Sequence, residues 1–241
     1  MFSLYGKKAL IIGGSCEIAL IISNMLIDLE VFPVISYRSI ESKEKIIKNL
    51  NNYKDKYSLL KIDFCDLKTL ENVKSINSID YMIDFVHEDY ERLIGTASIE
   101  DIYSYYSSNI SYRACLLNII SRKMIKNKKG RLIYISSTAA KAPNPGQGFY
   151  ASSKLAVEAL YKNIGIELCS RGITSVILRA GYINAGRGIK YLKEKKKNKY
   201  INVISKNKIA EIIIFLLTDS ATCFNATELC CDAGFTATKW G

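Results

Sequence analysis

The chain has 241 residues, 49% of them hydrophobic, with 3 Pro and 14 Gly, so it can bury a sizeable core and is not a disordered or fibrous chain. Its formal net charge of +11 suits an acidic partner, such as a nucleotide phosphate, an acidic carrier protein or nucleic acid, or else reflects Lys on solvated faces. Its 7 Cys show no paired CxxC spacing and His87 is its 1 His, which argues against a metal site. Thiols lying mostly in apolar stretches are expected to be buried in a reducing cytosol, and the absence of an apolar run of membrane length makes a soluble, cytoplasmic protein the expectation.

Residues 8–12 (KALII) form a short apolar run, followed by Gly13, Gly14 and Ser15 and by an apolar helical pattern over 18–29. In such a strand–turn–helix, glycines let backbone approach a pyrophosphate, and the helix N-terminus offers free N–H groups and a positive dipole end. The spacing G-x-G-x-x-G is absent, and Glu17 puts a carboxylate beside the turn. A second strand is predicted at 31–37 (VFPVISY), followed by Arg38 and Ser39. The residue closing this strand meets the adenosine ribose of a dinucleotide; an acid there selects NAD, whereas Arg accommodates a 2′-phosphate. Residues 36–39 contain no acid, which favours NADP; the alternative for Arg38 is a plain surface cation.

A charged helix is predicted over 41–53, a third strand over 58–62, a short helix over 67–76 and a fourth strand over 81–86. His87 follows that strand as a loop residue whose place near a ligand crevice keeps a binding role open. Residues 102–126 read as one long amphipathic helix; Asn109 in its middle is either a polar-face residue or a kink facing a water chain. The fifth strand is expected at 131–136, a second long helix at 150–169, the sixth strand at 173–178, a helix at 209–217 and a last strand at 229–231. The basic run 190–199 (KYLKEKKKNK) lacks the aromatic interleaving of RNA-binding modules, so it reads as a solvated segment able to recruit an acidic partner, and nucleic acid is not expected. Strands alternating with helices predict an α/β fold with a mostly parallel seven-stranded sheet in three α/β/α layers. No repeat or linker divides the chain, so residues 1–241 are expected to form a single domain.

The chemistry concentrates in 133–154 (IYISSTAAKAPNPGQGFYASSK). Tyr150 and Lys154, at i and i+4, share a helix face. An ammonium near a phenol favours the phenolate and brings a group with a reference pKa of about 10 toward working pH, where proton transfer is efficient. Ser137, at the strand end, is placed to hydrogen-bond the same substrate oxygen. Tyr-x-x-x-Lys alone is a weak motif in a chain with 16 Tyr; the order strand, Ser, turn, Tyr, Lys gives it its weight.

In this order the residues resemble the short-chain dehydrogenase/reductase family, in the size and layout of its 3-oxoacyl-[acyl-carrier-protein] reductases, over 6–236. The resemblance implies a Rossmann-like doubly wound fold and a catalytic set of Asn109, Ser137, Tyr150 and Lys154. Tyr150 is then the general acid, Ser137 orients the carbonyl, Lys154 lowers the Tyr150 pKa and holds the ribose, and Asn109 holds a water in the proton relay. It further implies NADP(H) bound by Gly13, Ser15, Ile18, Arg38, Ser39, Asp63, Phe64, Tyr150, Lys154 and Ile183. The implied substrate is a ketone, most simply a 3-oxoacyl thioester on an acidic acyl carrier protein, and the implied assembly is a homo-oligomer, dimer or tetramer, packed through the two long helices. A free alcohol, sugar or polyketide-like ketone as substrate is an alternative; a binding or scaffold subunit is an alternative of a different class. The chain departs from the family pattern at Glu17 and Ala19, at Asp84-Phe85-Val86-His87, at Ala180, at Ala185 and in a short, Lys-rich substrate lid over 186–207.

Overall fold

The computed structural model describes residues 4–186, 188–189 and 202–238. Seven strands run through these residues: β1 (Lys8–Ile12), β2 (Phe32–Tyr37), β3 (Ser58–Lys61), β4 (Tyr81–Asp84), β5 (Gly130–Ser137), β6 (Ile173–Ala180) and β7 (Thr227–Cys231). They form one sheet in the order β3-β2-β1-β4-β5-β6-β7, and each neighbouring pair is parallel. The expected mostly parallel sheet is therefore wholly parallel here. The helices between strands are α1 (Glu17–Asp28), α2 (Ile40–Asn49), α3 (Glu71–Lys74), α4 (Ile99–Tyr106), α5 (Tyr112–Asn127), α6 (Gly148–Glu167) and α7 (Lys206–Leu217), with a last turn, α8 (Phe235–Thr238).

Alternation along each strand divides the core in two. Ile11 and Ile35 turn to the face covered by α1 and α7, where they meet Ile22, Leu26, Ile209 and Ile213. Leu10, Ile12 and Met82 turn to the opposite face with Leu116, Ile120, Val157 and Tyr161 of α5 and α6. Each such fully buried side chain contributes roughly 1.5–3 kcal/mol, and together the two layers hold the sheet from both sides. Chain order reverses between β1 and β4, so a crevice opens beyond their carboxyl ends, where sheets of this kind bind ligands.

Several expected elements are redrawn. The long helix expected at 102–126 is α4, a π-helical segment Ser107–Ser111 and α5. Asn109 lies in the π segment: its Nδ2 donates to Tyr105 O at 2.9 Å, and its own carbonyl accepts from the Arg113 guanidinium. A bulge of this kind re-aims side chains and recurs at functional sites. The helix of 41–53 stops at Asn49 and passes into a 3-10 turn, Asn51–Tyr53; the helix of 67–76 is a 3-10 turn, Leu67–Leu70, leading into the single turn α3. The basic run 190–199, and with it most of the lid expected over 186–207, lies outside the described residues.

The expectation of buried thiols is overturned. Cys65, Cys115, Cys169, Cys223 and Cys230 are exposed, and Cys16 and Cys231 are half-buried. Apolar surroundings in sequence do not fix the face: Cys115 lies on α5 away from the buried Leu116, Leu117 and Ile120, and Cys230 is on β7, an edge strand. Among the described residues no helix is long and apolar enough to cross a membrane.

Candidate active site

β5 and α6 build the centre of the site. Lys154, two turns into α6, is 3% exposed. A buried ammonium requires partners; its Nζ donates to Ile135 O at 2.8 Å and lies over the rings of Tyr134 at 4.8 Å and Tyr150 at 5.8 Å. Ser137 closes β5, and its Oγ accepts the Ala139 N–H at 3.2 Å, which fixes one lone pair and leaves the hydroxyl proton to be donated. Behind it Ser136 Oγ donates to Glu158 Oε1 at 2.5 Å, and Glu158 in turn receives Arg179 at 2.5 Å and 2.9 Å. This buried pair braces the ends of β5 and β6 beneath the site.

Ser137, Tyr150 and Lys154 line one cleft of about 410 Å³, together with Ile18 and Ile183. Five of the predicted residues thus meet in one space. Asn109 stands behind its wall, 1% exposed. Its Oδ1 accepts the Glu88 N–H at 3.0 Å, so the amide ties the π segment to the chain after β4. Gly13 and Ser15 lie in the turn leading to Cys16, Glu17 and Ile18, which line the cleft. Arg38, Ser39, Asp63 and Phe64 lie further along the carboxyl edge, beyond β2 and β3. Ser39 caps α2 through Ser42. The Phe64 ring is buried 5.1 Å from the Arg113 guanidinium, so only its backbone faces the edge.

The turn after β1 fits a dinucleotide pyrophosphate. Gly13 has φ +79°, and a Cβ on Gly14 would meet the Ile35 side chain at 2.1 Å; these glycines bring backbone where a side chain would not fit. Cys16, at the head of α1, makes no side-chain capping hydrogen bond, and a helix N-terminus of this kind favours an anion. Glu17 is paired at the cleft wall: its carboxylate accepts Gly186 N at 3.2 Å and Lys206 Nζ at 2.5 Å. The Lys206 hydrogen bond is the main cause holding its carboxyl below the usual range.

The segment Asp84–His87 is rebuilt around a buried ion pair. Asp84 receives Arg113 Nε at 2.6 Å, with both side chains fully buried, and also Tyr161 OH at 2.9 Å and Val86 N at 3.0 Å. Burial alone would pull the guanidinium down; Asp84 more than offsets this and holds it protonated. Arg113 also donates to Val86 O and Asn109 O, joining the end of β4 to the π segment. His87 lies in the cleft wall. Its Nε2 is 2.9 Å from Tyr105 OH and 3.1 Å from Ser153 Oγ, and its ring stands edge-on to Tyr150 with centroids 4.9 Å apart.

A family model described as short chain dehydrogenase matches residues 7–199. The chain belongs to the short chain dehydrogenase family. It is 29% identical over 233 residues to a 3-oxoacyl-[acyl-carrier-protein] reductase FabG of Rickettsia felis, covering 92% of this chain and 93% of that one. It is 30% identical over 252 residues to the peroxisomal 2,4-dienoyl-CoA reductase SPS19 of Saccharomyces cerevisiae, covering 95% of this chain and 84% of that one. Among solved structures it superposes with TM-score 0.84 at 22% identity on YwfH, an NADPH dependent reductase involved in bacilysin biosynthesis, over 95% of this chain and 97% of that one. This last likeness shows the shared fold.

Within this dehydrogenase, sequence reasoning marked Asp84–His87 as a departure but did not find Arg113, the partner that explains Asp84, 29 residues away. Glu158 and Glu88 also went unmarked. A buried Glu on a helix facing a strand-end Arg was the one signal available for Glu158; Glu88 carried none.

Proposed function

We propose that this dehydrogenase reduces a ketone to a secondary alcohol with NADPH, and that its substrate class is a 3-oxoacyl thioester borne on acyl carrier protein. The observation carrying this reading is the meeting of Ser137, Tyr150 and Lys154 in one cleft beside the glycine turn. Tyr150 donates its proton to the carbonyl oxygen. Ser137 donates a hydrogen bond to that oxygen, its own lone pair held by Ala139. Lys154, pinned by Ile135 O, favours the phenolate left on Tyr150 and holds the nicotinamide ribose. Asn109 and the π segment hold the entry of the proton relay that restores Tyr150.

The turn at Gly13, Ser15 and Ile18 takes the pyrophosphate, Arg38 and Ser39 the 2′-phosphate, Asp63 and the Phe64 backbone the adenine, and the Ile183 backbone the carboxamide. When bound, NADPH supplies the hydride. The names of the FabG relatives support the acyl thioester class, and the +11 charge suits an acidic carrier. Mixing the protein with NADPH and a 3-oxoacyl carrier thioester tests the reading. Stoichiometric loss of NADPH with formation of the 3-hydroxyacyl product is expected, with free ketones turned over more slowly. No NADPH oxidation with any ketone, or faster reduction of a free ketone or keto sugar, would overturn it.

A further inference from the structure

Read from residues 36–39 alone, Arg38 is an unopposed cation at the end of β2. In the folded chain it faces Glu88, whose Oε1 lies 3.3 Å from Arg38 Nη1. Glu88 comes from the segment after β4, 50 residues further along, and several elements fix it. Its second oxygen accepts Ser108 Oγ at 3.2 Å. Cys65 Sγ, two residues beyond Asp63, lies 3.7 Å from the first. The Glu88 N–H is held by Asn109 Oδ1 at 3.0 Å. The ends of β2 and β3 and the π segment therefore converge on one carboxylate, at the edge of the sheet that meets the adenosine half of a dinucleotide.

Resting on the dinucleotide reading above, we infer that Glu88 is the second determinant of the adenosine 2′ site and weakens the preference for NADPH that Arg38 alone would impose. A free ribose 2′-hydroxyl can donate to the carboxylate. A 2′-phosphate must instead share Arg38 with a fixed negative charge. Like charges near contact in a water-like medium cost roughly fivefold in affinity per unit charge. A phosphate carries more than one charge and salt screens part of the effect, so the penalty is about tenfold. An exposed ion pair contributes little to folding, so its removal is read in binding rather than in stability. The acid missing from the end of β2 is thus supplied in space from the segment after β4, and the preference for NADPH is about tenfold smaller than Arg38 alone would give.

The test titrates wild type, Glu88→Gln and Arg38→Gln with NADPH and NADH, and with adenosine 2′,5′-bisphosphate and 5′-AMP, following binding by calorimetry and folding by thermal unfolding. Glu88→Gln preserves an acceptor for Ser108. It should tighten NADPH and the 2′,5′-bisphosphate about tenfold, leave NADH and 5′-AMP no tighter, and steepen the salt dependence of the phosphorylated ligands. Arg38→Gln leaves Glu88 unopposed, so NADPH and the 2′,5′-bisphosphate should bind more weakly than NADH and 5′-AMP, by about tenfold. Equal tightening of both ligands in a pair, or none, overturns the role of Glu88 while leaving the dinucleotide reading intact. Failure of wild type to bind either dinucleotide overturns both.

Discussion

In the proposed reaction Ser137 acts on the substrate oxygen and Lys154 on the Tyr150 phenol and the ribose, and substitution separates them. Ser137→Ala removes one donor to the carbonyl, so turnover should fall about 10²- to 10³-fold with NADPH affinity unchanged; unchanged turnover would remove Ser137 from the mechanism. Lys154→Met takes away both the ammonium beside Tyr150 and the ribose contact, so turnover and NADPH affinity should fall together in kinetics and titration. These residues were legible in the sequence because their relation is local: strand end, turn, then i and i+4 on one helix. Glu17 was not legible. Its partner Lys206 is 189 residues away, and without it a carboxylate beside a phosphate turn reads as a defect.

At the scale of elements, the end of β4 depends on the Asp84–Arg113 pair. Removing one partner of a fully buried pair leaves an uncompensated charge and costs about 3–5 kcal/mol. In a chain of this size, Arg113→Leu should lower the melting temperature by roughly 6–20 °C. The double variant Asp84→Leu/Arg113→Leu should recover most of that loss, since an apolar pair of similar volume is tolerated where a lone charge is not; a double variant as unstable as the single would contradict the account.

Asp232 gives a pH test of the loop after β7. Burial raises its pKa, but hydrogen bonds from the Thr236 hydroxyl and N–H and from Gly234 N outweigh burial and hold the carboxyl below its usual range. A depressed carboxylate stabilises the fold above its unfolded value, about 3.9, and the contribution is lost as pH falls through the lower folded value. Asp232→Asn should therefore melt below wild type at neutral pH, with the gap closing below about pH 4; a gap independent of pH would count against this. The seven strands were readable from apolar runs and glycine turns. A kink at Asn109 was one of two readings the sequence left open; its π form was not readable, because Asn109 there meets Tyr105, Glu88 and Arg113, contacts that no periodicity reports.

Over the whole molecule, the parallel sheet brings β1, β4 and β5 to one edge, and the glycine turn and Tyr150 face one cleft. On the outer surface Ile99 and Tyr103 of α4 and Leu155 and Ile166 of α6 remain exposed, at 80%, 77%, 44% and 62%. The family resemblance implies a homo-oligomer packed through 102–126 and 150–169, the regions that hold Tyr103, Leu155 and Ile166. Sedimentation should give a dimer or tetramer, and Tyr103→Lys should shift it toward monomer; a wild-type monomer at high protein concentration would contradict that packing. The thiols show where composition misleads at this scale, since residue type did not disclose which faces of α5 and β7 look outward.

In the proposed reaction Tyr150 delivers the proton to a substrate ketone next to bound NADPH. Its most direct test is the Tyr150→Phe variant, with NADPH affinity and ketone turnover measured on the same preparation. The account predicts unchanged affinity and a fall in turnover of about 10²- to 10⁴-fold. Turnover close to wild type with NADPH bound would contradict it.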